Sequence, residues 1–507
     1  MATIFGTSGN DNLPRLTDPS TAGDDYIYGL EGNDTINAGS GSDIINGGTG
    51  IDSMVGGLGN DGYYVDSSSD VTTEGVGAGI DSVYSYAGSY TLRANVENLY
   101  MYGSAYSGYG NALNNSIVGT SGNNLISGGA GVDTAAGGLG SDAYVVDSTS
   151  DVVTEGVNAG TDSVYASASY SLGANVENLY LSGTAYYGYG NALNNSIVGN
   201  SSNNYLSGGA GVDTMAGGIG SDVYVVDSTS DVVTEGVDAG TDVVYASASY
   251  TLGANVENLY LQGSAYYGYG NALNNYIAGN SGNNLIWGGA GNDTMAGSAG
   301  NDIYYVDSTS DVIIEGVGAG TDVVYASASY TLGANVENLY LQGSAYYGYG
   351  NALNNSIVGN AGNNYLWGGA GNDTITGGVG NDTIRGSVGS DVLTGGAGAD
   401  YFNFYSTSEG SDSITDFSWG QGDKIALSDS GFGGSLTTTT GVTPGSLLSS
   451  QFRTGAGATT SNHRVIYNSS TGALFFDADG TGAAAQVQIA SLSTGLALIS
   501  SDFQVIA

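Results

Sequence analysis

Aspartates stand nine residues apart at Asp25, Asp34, Asp43, Asp52 and Asp61, and again at Asp373, Asp382, Asp391 and Asp400. Between these runs they come in pairs: Asp133 with Asp142, Asp213 with Asp222, and Asp293 with Asp302. Asp11 opens the series in an isolated unit, GTSGNDNLP. In frame the units read GLEGNDTIN, AGSGSDIIN, GGTGIDSMV and GGLGNDGYY, with glycines early, the acid in sixth place and usually an apolar residue in eighth. Carboxylates, together with backbone carbonyls that glycine turns leave free, form an oxygen-only ligand set. That set suits a hard cation such as Ca²⁺.

The nine-residue beat also dictates what must hold those acids. A six-residue turn followed by a three-residue strand makes half a coil, so two units close one turn of a solenoid. Aspartates two units apart then stack at the strand spacing of about 4.8 Å. At an effective dielectric near 20, each such pair repels by about 3 kcal/mol. A whole column therefore needs cations between its rungs. Glycine is required where the turns take positive φ. A disordered Gly/Asn/Ser linker would not keep acidic and aliphatic positions in phase. The expected fold is all-β: a right-handed parallel β-roll or β-solenoid with calcium-binding turns and a small C-terminal β-rich cap.

These units resemble the RTX family, the glycine- and aspartate-rich calcium-binding nonapeptides of secreted bacterial proteins. The resemblance implies Ca²⁺ as cofactor, held by Asp11, Asp25, Asp34, Asp43, Asp52, Asp61, Asp133, Asp142, Asp213, Asp222, Asp293, Asp302, Asp373, Asp382, Asp391 and Asp400. From Asp52 a longer period of roughly 80 residues takes over, with equivalent aspartates at Asp133, Asp213, Asp293 and Asp373. This long unit is similar to repeats in cyanobacterial oscillin-like and S-layer-associated surface proteins. Beyond Asp400, YFNFYSTSEGSDSITDFSWGQGDKIALSDSGF resembles the segment that caps RTX rolls, and the closing SSDFQVIA an uncleaved export region. The expected domains are residues 1–61, a first nonapeptide run; 62–372, the long repeats; 373–402, a second run; and 403–507, a capping and type I secretion region. A short insert around Pro14 to Pro19 breaks phase after the first unit.

Within one long repeat, Asn195 and Asn204 occupy the acid position before Asp213 and Asp222 restore it. Asparagine ladders without charge repulsion, so internal coils are expected to hold fewer or weaker sites than the terminal runs. The other half of the repeat alternates Val, Tyr and Leu as strands. Its length suits two wider coils, about four coils per repeat and a rise near 19 Å. Asp227, Asp231, Glu235 and Asp242 fall in or near its turns, as solvated turn residues or as additional ligands.

Composition narrows the function. A net charge of −42 with only 6 Lys+Arg excludes nucleic acid as a partner and argues against anionic lipid. Cys 0 removes disulfides, leaving metal to staple an extracellular fold. No apolar run reaches the length of a membrane helix. The first residues carry no basic region or cleavable apolar core, so export is expected by a route other than Sec. The single histidine, His463, reads as a surface residue, which disfavours a nucleophilic triad and a zinc centre. The acids repeat evenly instead of forming one singular cluster, which argues against a carboxylate glycosidase. The reading is therefore not an enzyme.

Trp287 and Trp367 fill the outward ninth place of a nonapeptide, one long repeat apart, and Tyr267 and Tyr347 belong to a parallel series. They read either as cross-strand stacking or as a lateral interface or sugar-binding strip. The sequence thus points to an extracellular structural protein that assembles with itself into a surface layer, sheath or filament, with the type I secretion apparatus as its export partner. The competing reading is an adhesin for polysaccharide or another cell surface.

Overall fold

The computed structural model describes residues 1–13 and 22–507, and the insert around Pro14 to Pro19 lies outside them. The described chain is a succession of short strands with two brief 3₁₀ turns. It divides into two compact units, residues 1–247 with 253–256, and residues 248–252 with 257–507.

In the first unit, successive strands alternate between two facing parallel sheets. One begins Thr3–Phe5, Tyr26–Tyr28, Ile44–Asn46, Gly62–Val65, and the other Asn12–Leu13, Thr35–Ser40, Ser53–Leu58, Val71–Thr73. Each regular coil advances the register by 18 residues, as in Ile44↔Gly62 and Thr35↔Ser53, which is two nonapeptides. The eighth residue of each unit points inward. Ile27, Ile36, Ile45, Met54 and Tyr63 are all fully buried, forming a narrow core between the sheets.

The long repeat departs from the expected four coils. From Ala143–Val146 to its equivalent Val223–Val226 the chain makes nine strands, four and a half coils, for a rise of about 22 Å. The widened half contains one coil of 20 residues (Ala143↔Ser163) and one of 15 (Ser163↔Asn178) before the 18-residue step returns. An odd number of strands moves each successive repeat to the opposite sheet. The sheets record this: Val71–Thr73 and Ser89–Thr91 fall in separate sheets on one side, and Val152–Val153 and Tyr170–Ser171 on the other. Each break is bridged from within. The buried Tyr90 and Tyr170 hydroxyls donate to the carbonyls of Asp70 (3.3 Å) and Asp151 (3.2 Å). Asn95 and Asn175, both at positive φ, donate their amides to the carbonyls of Glu74 and Glu155 at 2.9 Å.

The second unit repeats the pattern. Strands from Tyr250–Thr251 to Val392–Ala397 form one sheet, and those from Tyr330–Thr331 to Tyr401–Phe404 another facing it. Both continue into the C-terminal region, where the texture changes. Asp412–Ile414 pairs in parallel with Val487–Ser491, which then pairs antiparallel with Ala473–Phe476. On the facing sheet, Lys424–Ser428 pairs with Phe503–Ile506. The last strands of the roll are thereby covered, as an otherwise open sheet edge requires.

Glycine spacing is a steric demand of these coils. Gly48 has φ of 86°, and a Cβ there would overlap the carbonyl of Leu30 in the coil before. Gly48→Ala should therefore lower stability by about 2 kcal/mol or more. Gly9→Ala, where no heavy atom lies within 4 Å of the added carbon, should change it by less than about 0.5 kcal/mol. Urea denaturation of both variants at fixed Ca²⁺ tests the pair.

Candidate metal centre

The turns bring the sixth-place acids into two columns, one along each edge of the roll. The backbone N–H of each acid donates to Oδ1 of the equivalent acid one coil later. Asp25 donates to Asp43 and Asp43 to Asp61 (2.7 Å each), and Asp34 to Asp52 (2.8 Å). In the second unit Asp373 donates to Asp391 (2.7 Å) and Asp382 to Asp400 (2.8 Å). One carboxylate oxygen is thus used by the fold itself.

The other oxygen is not. Oδ2 of every sequence-predicted aspartate except Asp11 is buried and accepts no hydrogen bond. Except at Asp25 and at Asp43, whose unit opens with Ala38, each faces the first glycine of its own unit. At Gly29 an added Cβ would run into Asp34 Oδ2 and the carbonyl of Gly47 from the following coil. The slot that glycine leaves open is therefore lined by a carboxylate oxygen and a backbone carbonyl, the donor set of a hard cation. Asp11 differs: it is half-buried, and its Oδ2 accepts the N–H and hydroxyl of Thr7 at 2.5 and 2.8 Å.

In the long repeats the ladder begins on asparagine. Asn115 donates its N–H to Asp133 (2.7 Å) and Asn124 to Asp142 (2.6 Å), and Asn195 and Asn204 do the same to Asp213 and Asp222. Asn115 needs no ion. Its Oδ1 accepts the N–H of Asn111, and its amide donates to the carbonyls of Val96 and Glu97. The ladder then continues into the half of the repeat where the sequence left ligands undecided. Asp142 donates to Asp162 and Asp162 to Glu177 (2.8 Å each). Asp222 likewise donates to Asp242, and Asp302 to Asp322. The long repeats are therefore not poor in acid. Asparagine spares some rungs, and buried acids at Asp81, Asp162, Asp242 and Asp322 extend the rest. Asp70, Asp151 and Asp311 occupy further rungs but turn Oδ2 onto local backbone N–H groups such as those of Ser67, Ser148 and Ser308.

Glu74, Glu155, Glu235 and Glu315 are also buried among these columns. Only Glu235 drew attention in the sequence, as one turn residue among four. The missed signal is a fixed interval. Each glutamate stands thirteen residues after a nonapeptide aspartate and seven before another acid, in all four copies.

The aromatic candidates fall on both faces of the second unit. Tyr267 and Trp287 lie on the sheet that begins Tyr250–Thr251, whereas Tyr347 and Trp367 lie on the facing one. The two tryptophans are exposed on opposite sides, because nine strands separate them. They do not form a single strip. His463, in the C-terminal region, accepts the N–H of Thr459 on Nδ1, and burial followed by the nearby Arg453 lowers its pKa.

Paired buried columns of half-used carboxylates, on a parallel roll with an 18-residue register, define a β-roll of the cation-binding class. A family model for the RTX calcium-binding nonapeptide repeat matches residues 20–54, 38–71, 109–144, 189–224, 269–304, 349–384 and 376–414. The chain thus carries several copies of the RTX calcium-binding nonapeptide repeat, and such repeats bind Ca²⁺. Among solved structures it is similar to the AlgE6R3 subunit from the Azotobacter vinelandii mannuronan C5-epimerase. The likeness has 24% identity and a TM-score of 0.20, covering 30% of this chain and 77% of that one. No curated protein matches.

The electrostatics give the columns a pH signature. Burial, the largest cause, pushes Asp52, Asp61 and Asp302 up to about 6 and Asp373 up to about 7. The backbone N–H from the preceding coil opposes this, and neighbouring carboxylates add to it. Folded-state values above the unfolded one mean that the folded chain holds protons the unfolded chain has released. That stabilisation is complete below the ordinary aspartate value of 3.8 and is lost as pH rises through about 6 to 7. Calcium-free protein should therefore gain β-structure by circular dichroism on acidification from about 7 to about 4. Calcium-saturated protein should hold its spectrum at neutral pH without needing that protonation.

Proposed function

We propose that this chain is a secreted structural protein that folds on calcium and assembles with itself into a bacterial surface layer, sheath or filament. RTX-repeat proteins are typically secreted by type I systems, and no helix among the described residues is long and apolar enough to cross a membrane. In the cytoplasm, where Ca²⁺ is scarce, a chain of net charge −42 repels itself and stays unfolded, fit for export. Outside, ion binding becomes folding free energy.

The observation that carries self-assembly is the pair of aromatic faces on the second unit. On one sheet Tyr269, Trp287, Tyr305, Tyr325 and Tyr340 occupy matched outward positions on five neighbouring strands. Tyr305 and Tyr325 stack at 5.3 Å and Tyr325 and Tyr340 at 5.2 Å. On the opposite sheet Tyr347 and Tyr349 stack at 5.0 Å, and Tyr349 meets Trp367 edge-on at 5.5 Å. A receptor for one ligand needs one such face. A subunit joined to neighbours on two sides needs both, and aromatic side chains are what interface cores enrich.

A second reading, a polysaccharide-binding adhesin, draws on one feature of the longer strip. Tyr269, Trp287, Tyr305 and Tyr325 line a cleft of about 460 Å³ that also holds Asp307, Ser327 and Gln342. Apolar walls with a few polar groups suit a sugar ring.

Electron microscopy of the purified chain, in Ca²⁺ and then in chelator, separates the two. Ordered polymers should form only with Ca²⁺, and Trp287→Ala and Trp367→Ala should each weaken them. Polymers indifferent to both substitutions would remove the aromatic faces from the contact. A monodisperse protein retained by polysaccharide would shift the assignment to the adhesin.

A further inference from the structure

Three buried carboxylates meet at each widened coil in an arrangement that the nonapeptide does not supply. Glu74 stands eighteen residues after Gly56, where a regular coil would begin its next unit with glycine. Its side chain turns inward and joins Asp61 and Asp81, with one oxygen from each within 4.8 Å of the others. The trio recurs as Asp142, Glu155 and Asp162, as Asp222, Glu235 and Asp242, and as Asp302, Glu315 and Asp322, all buried.

A cluster of acids alone would mean little, but these are built into a closed cradle. Glu74, 7% exposed, presents an Oε2 with no hydrogen-bond partner, and Oδ2 of Asp61 and of Asp81 is likewise unpartnered. So are Oδ2 of Asp142, Asp162, Asp302 and Asp322. At Gly56 an added Cβ would meet Asp61 Oδ2, Glu74 Oε1 and the Tyr63 hydroxyl together, so the backbone leaves a space where these oxygens converge. Tyr63, Tyr144, Tyr224 and Tyr304, each fully buried, donate their hydroxyls to Oε1 of the local glutamate. The Gly137 N–H in turn donates to the Tyr144 hydroxyl at 2.6 Å. Tyrosine therefore orients the glutamate without neutralising it. No Lys or Arg occurs between Arg93 and Arg385, so the chain itself offers no cation to the later trios.

We propose that each Asp–Glu–Asp trio is a second class of Ca²⁺ site, one per long repeat, in which an aspartate of the nonapeptide column is joined by a glutamate and an aspartate that the nonapeptide does not supply. Its place in the fold gives it a task. Glu74 follows directly on Val71–Thr73, the strand at which one sheet is cut, and its carbonyl takes the Asn95 amide that bridges the cut. An ion held there ties the widened coil to the regular one where backbone pairing fails. The tyrosines are positioning residues. This inference rests on the calcium reading of the roll.

The test is the number of Ca²⁺ ions bound by the full chain at saturation, from equilibrium dialysis and elemental analysis. The quadruple variant E74Q/E155Q/E235Q/E315Q keeps an acceptor for each tyrosine and removes one charge per trio. It should bind about four ions fewer than wild type with an unchanged β spectrum in Ca²⁺. Should that variant fold poorly, each single Glu→Gln substitution should remove about one ion. The corresponding Tyr→Phe variants should keep the count but need several-fold more Ca²⁺ to fill those sites. An unchanged count in the glutamine variants would overturn the proposal, showing instead a protonated glutamic acid sharing its hydrogen with an aspartate. Wild-type protein that binds no Ca²⁺ would overturn the calcium reading itself, a different result from the same measurement.

Discussion

The fold turns on a carboxylate that is only half used. Each rung of the roll donates its backbone N–H to Oδ1 of the next, which fixes the turn and buries the acid. On most rungs Oδ2 is then left in a slot, usually beside the unit's first glycine, that no protein donor reaches. Burying an unpaired charge costs far more than a single hydrogen bond returns. The chain cannot supply the missing partner, since it has 6 Lys+Arg against 48 Asp+Glu. Its core is also thin, with one or two buried side chains on most strands of the roll, so the apolar term alone is modest. The compact state is therefore conditional on something in the solvent, either an ion or, in its absence, protons.

The second constraint is parity. A regular coil uses two strands, so inserting an odd number of strands per long repeat inverts the next repeat onto the other sheet. Every feature that recurs with the long period, including aromatic side chains, sheet breaks and bridging tyrosines, is thereby distributed to both sides. An even count would have placed all of them on one side and left the other bare. The tyrosines that fill outward positions gain cross-strand stacking on either face, so the arrangement costs the fold nothing.

Much of this was legible in the sequence, for physical reasons. The interval between Asp25 and Asp61 fixes a half-coil because strand and turn lengths cannot change without shifting every acid off its column. The eighth-place residues Ile36, Ile45 and Met54 mark the core because they alternate with turn glycines. The widened half of the repeat was harder to read. Coils of 20 and 15 residues carry no constant interval, so counting strands through them from Val and Tyr alternation gives about four coils instead of four and a half, and the half coil decides which face each repeat presents. Glu235 and Asp242 were ambiguous for a related reason. An acid beside Gly236 and Gly240 looks like a solvated turn, and only the three-dimensional approach of Asp222 shows that it points inward. Tyr224, which sits at an ordinary core position, gave no hint that its hydroxyl engages an acid.

The asparagine rungs set the length over which the acids influence one another. A cation seated between two stacked aspartates would be shared by both, which would couple neighbouring gaps in a column. Asn115, Asn124, Asn195 and Asn204 satisfy their own side chains and need no ion, so that coupling stops at them. Each long repeat then holds two short columns of acids, both opened by an asparagine: one runs through Asp133 to Asp151, whose Oδ2 accepts local N–H groups, and the other through Asp142 and Asp162 to Glu177. Repulsion in an unfilled stretch is confined to that repeat instead of accumulating along the chain. In the terminal run from Asp373 to Asp400 no amide intervenes, and each column there passes directly into the cap at Asp412 and Asp423. Burial there, with the Asp391 carboxylate beside it, pushes Asp412 up to about 8, so this one carboxyl keeps its proton at neutral pH in the calcium-free chain.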